Sequence, residues 1–195
     1  ALPSPAFCHK EVSVLQYQPQ NIRLRDGRTA LFRQPAPQDA AGMIAYMKTC
    51  YGESPYLLHT PEEFVMTVEK EETFLARILD SEYNLMIVCE IGGEIAGNCQ
   101  LSFHNKPKTR HRADVAIALV QKYWGLGIGS AMFEEMIRLA KERDVEQLEL
   151  EVMEGNDRAI RLYEKFGFER FGVRPNAIHL KDGTRLRELL MVKVL

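Results

Sequence analysis

The sequence predicts a mixed α/β chain, a largely antiparallel sheet flanked by about four helices. Three observations carry this. Strand-like runs flank tight turn signals at Asp26-Gly27, Gly92-Gly93 and Asp182-Gly183, the chemistry that joins antiparallel neighbours. Helix-start chemistry appears twice before the middle hairpin, at Pro37-Gln-Asp39 and Thr60-Pro61-Glu62-Glu63. A glycine cluster, Gly125, Gly127 and Gly129, separates a strand-like run from a strongly patterned helix.

The elements follow in order. Residues 1–20, with Pro3, Pro5 and Pro19, read as an irregular arm with a short strand around Val12 to Leu15, and residues 21–195 as one domain. Ile22 to Leu24 and Thr29 to Arg33 make the first hairpin. A helix capped by Asp39 ends near Cys50. The second opens at Thr60, with Pro61 at the first helical position and Glu63 closing a capping box, and runs to about Asp80. Asn84 to Glu90 and Glu94 to Ser102 flank Gly92-Gly93, and the uniformly apolar run at 85–89 predicts a strand covered on both faces. The strand Ala113 to Val120 follows a basic loop at 104–112. After the glycines, Ile128, Met132, Met136, Leu139 and Ala140 share one helical face. Gln147 to Val152 is the next strand, and the helix Arg158 to Phe166 stops at Gly167. Phe171 to Ala177 and Glu188 to Val194 close the domain.

Composition narrows the function. The 195 residues are 46% hydrophobic and 27% charged, with net charge −2, which suits one domain with a substantial core. Near-neutral charge with scattered basic residues gives no reason to expect nucleic acid, and no apolar run approaches the roughly 20 residues that span a bilayer. The N-terminal segment does not read as a signal peptide. No CxxC pair or metal-ligand spacing joins Cys8, Cys50, Cys89, Cys99 and the histidines. A two-residue turn at Gly92-Gly93 would set Cys89 opposite Ala96 and Cys99 opposite Met86, poorly placed to bridge. Free thiols in a reducing cytoplasm fit that reading.

Glycines at the mouth of a helix leave N–H groups facing a ligand, and the positive helix end favours an anion, most simply a phosphate. A nucleoside-triphosphatase loop needs a Lys after its last Gly, where this chain has Ser130. A dinucleotide fingerprint needs a different third spacing and an earlier position. In the Gcn5-related N-acetyltransferase (GNAT) superfamily, the helix after the fourth strand opens with Gln or Arg, two residues, Gly, one residue, then Gly or Ala. Trp124 to Gly129 is similar to that pattern, with Trp in the polar position, as in the branch that acetylates ribosomal-protein N-termini. Downstream, 148–168 supplies Glu151, Asn156, Tyr163 and Gly167-Phe168 in the family's order. The chain thus resembles this superfamily.

The resemblance implies a GNAT fold whose fourth and fifth strands splay, and transfer of an acetyl group from acetyl-CoA to a primary amine in a ternary complex. It implies that the amides of Leu126, Gly127, Ile128, Gly129 and Ser130 cradle the pyrophosphate, that Leu119 or Val120 offers an N–H to the oxyanion, and that Asn156 holds the pantetheine or caps its helix. Lys165, Lys122 or Arg161 would meet the 3′-phosphate. Tyr163 matches the family's general acid, against an alternative place in the core. Glu151, then Asp114, or a bound water, is the candidate base, each carboxylate being open to a simple ion-pair role. No metal is implied. Tyr51, Tyr56, His104, His111 and Glu53 are candidate acceptor contacts. The acceptor is a small-molecule or peptide amine, the compartment cytoplasmic, and a homodimer is common for such folds. A silent acyl-CoA-binding module, or use of another acyl-CoA, is the alternative.

Overall fold

The computed structural model describes residues 14–180 and 182–195. Its eight strands are β1 (Gln20–Arg23), β2 (Thr29–Arg33), β3 (Asn84–Ile91), β4 (Glu94–Phe103), β5 (Arg112–Leu119), β6 (Gln147–Met153), β7 (Glu169–His179) and β8 (Arg185–Val194). They form one open sheet in the order β1-β2-β3-β4-β5-β6-β8-β7. Every neighbouring pair is antiparallel except β5 and β6. That parallel pairing lasts for three residue pairs, from Arg112↔Gln147 to Asp114↔Glu149. Beyond it, β5 stays with β4 as far as Leu119, while β6 follows β8 to Met153. The sheet therefore opens between two central strands.

Four helices flank it: α1 (Ala40–Glu53), α2 (Val68–Leu79), α3 (Ile128–Glu142) and α4 (Asp157–Lys165). On α1, Met43, Tyr46 and Cys50 recur every three to four residues and are buried. The Tyr46 hydroxyl donates to the Ala118 carbonyl at 2.8 Å and lies 2.8 Å from the Asn98 amide oxygen, which ties α1 to β4 and β5. On α3, Ile128, Met132, Phe133, Met136 and Ala140 are buried, close to the predicted face. Phe133 joins α3 to α4, its ring 5.4 Å from those of Tyr163 and Phe166 and 5.7 Å from that of Phe168. As the apolar run implies, Leu85 to Cys89 are all buried.

Four sequence expectations change. The second helix does not begin at Thr60. The capping box forms there, with Glu63 N–H donating to Thr60 Oγ1 at 3.3 Å and Thr60 N–H to Glu63 Oε2 at 3.1 Å, but it closes only a turn. Thr67 is the working cap, its hydroxyl accepting from Lys70 N–H, so α2 begins at Val68. Asp39 precedes α1 but its side chain makes no cap bond to that helix: its carboxylate accepts from Ala36 N–H and takes Arg33 in a two-pronged ion pair. The middle hairpin carries a bulge after Cys89, so Cys89 faces Gly97 and Cys99 faces Ile87. Cys50, Cys89 and Cys99 are buried free thiols, and Cys8 lies outside the described residues. Of the expected early strand, residues 12 and 13 are also outside, while Val14 and Leu15 are not in a strand.

Gly97 faces Leu119 across a close strand pair. A methyl there would overlap the Leu119 side chain and stand 2.7 Å from the Ala118 carbonyl oxygen. Gly97→Ala is expected to destabilise the fold by about 1–3 kcal/mol through overpacking, read as a lower midpoint in urea unfolding.

Candidate active site

The opening between β5 and β6 is a cleft of about 600 Å³. Ile117, Ala118 and Leu119 form one wall, and Asn156, Ala159, Leu162 and Tyr163 of the α4 segment form another. Trp124, Gly125 and Gly127 to Ser130 of the glycine loop close one end, with Leu126 outside the lining, and Cys50, Glu53 and Tyr56 from α1 and its following loop reach in across the rim.

The loop geometry explains its glycines. Gly125 and Gly127 have φ of 80° and 93°, in the left-handed region that a Cβ disfavours. Gly127 is the N-cap of α3, and no side chain caps the helix. The first intrahelical bond is donated by Ala131 N–H to the Gly127 carbonyl. The N–H groups of Ile128, Gly129 and Ser130 therefore point out of the helix start with no partner in its ladder. Gly129 also lets α4 approach, because a Cβ there would stand 3.1 Å from Leu162. Lys165 reaches back to donate to Ser130 Oγ at 2.9 Å. Trp124 Nε1–H donates to the Leu119 carbonyl at 2.9 Å, and the Arg158 guanidinium lies 4.6 Å from the Trp124 ring centre. The loop tryptophan is thus bound into the site as structure.

The expected N–H donors separate by strand alternation. Val120 is buried outside the cleft lining, and its N–H donates to the Ala96 carbonyl at 3.0 Å. Alternate residues point the other way, so the Leu119 and Ile117 N–H groups face the side that β6 has left. Asn156 does what a cap requires, its side-chain oxygen accepting from Ala159 N–H at 3.4 Å while the residue lines the cleft. Tyr163 is 7% exposed, and burial pushes its phenol up to about 12.

The two candidate bases sit differently. Glu151 on β6 takes both prongs of Arg174 from β7, at 2.6 and 3.0 Å, and this pairing holds its carboxyl below the usual carboxylate range. Arg174 also meets Glu188 of β8. Glu188 is buried, and desolvation with the neighbouring Glu151 charge pushes its carboxyl up. Asp114 pairs with His104 at 3.0 Å, at the end of β5 that is still joined to β6. Neither Glu151 nor Asp114 is among the cleft-lining residues. Lys122 is engaged by Glu94 at 2.6 Å, and Arg161 is exposed outside the cleft lining.

On the opposite rim, Tyr56 donates to the Gly155 carbonyl at 2.9 Å. Glu53 accepts from Gln121 N–H at 2.7 Å. Tyr51 packs against His59 and Phe64, and the His111 carbonyl receives Glu146 and Gln147 N–H. No sequence signal singled out Arg25, Arg174 or Glu188, which reach the region from elements outside the matched motifs, while Arg158 lies in the first turn of α4 itself. Among the described residues there is no cluster of three or more metal-ligating side chains, and no helix is long and apolar enough to cross a membrane.

The model of the acetyltransferase (GNAT) family matches residues 50–168, from the end of α1 through the phenylalanine after α4. This chain belongs to the GNAT acetyltransferase family. A GNAT acetyltransferase from Streptococcus pneumoniae superposes with a TM-score of 0.78 at 28% identity, over 85% of this chain and 99% of that one. A Bacillus subtilis protein provisionally named a ribosomal protein bS18-alanine N-acetyltransferase is 32% identical over 107 residues, 54% of this chain and 68% of its own. An L-amino acid N-acetyltransferase from Escherichia coli is 28% identical over 114 residues, 56% of this chain and 70% of its own. The GNAT fold expected from the sequence, with its four helices, is the fold observed, but the splay expected at the fourth and fifth strands falls on β5 and β6, because the β1–β2 hairpin adds a strand ahead of them.

The Arg174 pairing makes a direct test. In Arg174→Gln, the Glu151 carboxyl is expected to titrate at higher pH than in the unmodified chain, followed by carbon-13 NMR of labelled glutamate.

Proposed function

We propose that this GNAT protein transfers the acetyl group of acetyl-CoA to an α-amine by direct attack within one ternary complex. The observation that carries the reading is the opened β5–β6 cleft, which joins an uncapped α3 start to the buried phenol of Tyr163. The free N–H groups of Ile128, Gly129 and Ser130 suit the pyrophosphate, and the Leu119 or Ile117 N–H suits the acyl oxygen as it gains charge. In the reaction, the amine nitrogen bonds to the acyl carbon and the carbon–sulfur bond breaks. The amine loses a proton to a water or carboxylate base, and Tyr163 gives its proton to the departing sulfur. A phenol raised to about 12 keeps that proton throughout the neutral range.

The state of Glu151 bears on the acceptor. A carboxylate gripped by Arg174 and held low is a weak base. A lysine amine near pKa 10.4 would be neutral in only about one in a few thousand molecules at pH 7, whereas an α-amine near 7.7–8.0 is neutral in roughly one in ten. The weak base therefore favours the α-amine. The names of the two relatives, one a ribosomal protein bS18-alanine and one an L-amino acid N-acetyltransferase, support the same group. Glu151, alone or through a water, then has to take a proton from an amine far less basic than a lysine.

Free thiol release measured across L-amino acids, alanine-starting peptides and polyamines checks the acceptor. Turnover confined to polyamines would overturn the α-amine, and absence of both turnover and CoA binding would remove the transferase reading. Tyr163→Phe is expected to lower kcat about 100-fold or more, as for loss of a general acid. Because Glu151 is ionised well below neutrality, Glu151→Gln should lower the plateau of kcat/KM while the acidic limb, set by the acceptor amine, stays in place. A limb that moves with this substitution would identify Glu151 as the titrating group.

A further inference from the structure

The acetyl-CoA reading leaves one cation of the cleft wall without a role. Arg25 lies in the turn between β1 and β2, a hundred residues before the glycine loop that it touches. The main chain puts it there: Arg25 N–H donates to the Leu126 carbonyl at 3.1 Å. Its stem crosses Gly127, where a Cβ would meet Arg25 Cγ and Nε at 3.7 Å. Nη1 makes one long bond, 3.4 Å, to the Gly125 carbonyl. The turn's single acid, Asp26, is occupied by Arg28, through its guanidinium at 2.7 Å and its N–H at 3.0 Å. Among the described residues no carboxylate pairs with Arg25, and the side chain is exposed at the cleft. An arginine has five donors in a rigid fork suited to phosphate oxygens, and most of these are unused here.

Two features that attract an anion thus meet at one point. The free N–H groups of α3 begin at Ile128, and Arg25 is anchored immediately before them, its main chain on Leu126 and its guanidinium at Gly125. Nearby, Trp124 occupies the position where the family usually has a Gln or Arg, and its ring N–H is spent on Leu119. We propose that Arg25 is a phosphate clamp, forking onto the donor's pyrophosphate as that group rests on the α3 N-terminus. It supplies from the first hairpin the polar contact that Trp124 does not. This rests on the acetyl-CoA reading, so the ligands in the test are chosen to separate the two.

Calorimetric titration of CoA and 3′-dephospho-CoA into the unmodified chain, Arg25→Gln and Arg25→Lys decides the matter. Arg25→Gln is expected to weaken both ligands by at least about tenfold, the size of a lost hydrogen bond to a charged group. Arg25→Lys, which keeps the charge without the fork, should bind more tightly than Arg25→Gln. The rise in KM for acetyl-CoA should leave kcat at saturation unchanged. Equal affinity of Arg25→Gln and the unmodified chain for CoA would overturn the clamp. So would a lysine variant no better than the glutamine one. A loss seen with CoA and absent with 3′-dephospho-CoA would place the contact on the 3′-phosphate and overturn the pyrophosphate assignment. An unmodified chain that binds neither ligand would defeat the acetyl-CoA reading itself.

Discussion

The loss of pairing between β5 and β6 governs the rest of the molecule. A strand in mid-sheet ordinarily has both edges hydrogen-bonded, and a buried N–H left without a partner costs about 1–3 kcal/mol. β5 gives up one edge after Asp114 and keeps the other along its whole length. Something must hold that edge open against the tendency to re-pair. Tyr46 of α1, buried with its hydroxyl at Ala118 and Asn98, fastens the edge that β5 keeps with β4. On the other side, the ring cluster of Phe133, Tyr163, Phe166 and Phe168 fixes α4 as the facing wall of the cleft. The catalytic candidate Tyr163 is therefore part of the packing that shapes the cleft, the core place that the sequence also offered it.

The charged side chains on β6, β7 and β8 follow a different logic. Arg174 is shared by two carboxylates in different surroundings, exposed Glu151 and buried Glu188. Burial drives one carboxyl up while the arginine draws the other down. Neighbouring acids whose affinities for a proton diverge in this way can divide the work of holding charge and holding a proton. In this arrangement Glu151 is the member that stays ionised.

The sequence made the fold legible wherever local chemistry and long-range packing agreed. The Asp26-Gly27, Gly92-Gly93 and Asp182-Gly183 turns, the apolar run of β3 and the face of α3 all lie as periodicity and turn propensity required. Failure came where two local signals competed. Thr60 and Thr67 both offer a helix start, and the capping box at Thr60 is chemically satisfied, yet the chain turns there and starts its helix at the second threonine. The bulge after Cys89 left no mark in the residues beside it, and it moved each cysteine's partner by one position. In the candidate site, the glycine loop and Tyr163 were legible because each lies within a short motif. Arg25 and Arg174 were not, because a guanidinium's partner is set by where the β1–β2 turn and the β7–β8 hairpin come to rest.

The buried cysteines affect how this protein meets thiol reagents. Burial pushes Cys50, beside the cleft, up to about 11 and Cys89 up to about 12, and it raises Cys99 as well. Since the thiolate is the reacting form, a group near 11 offers only about one part in a thousand at pH 8. Cys50, Cys89 and Cys99 of the folded chain are thus nearly mute to disulfide-exchange dyes and alkylating agents. Sulfur chemistry at the cleft belongs to what the cleft binds.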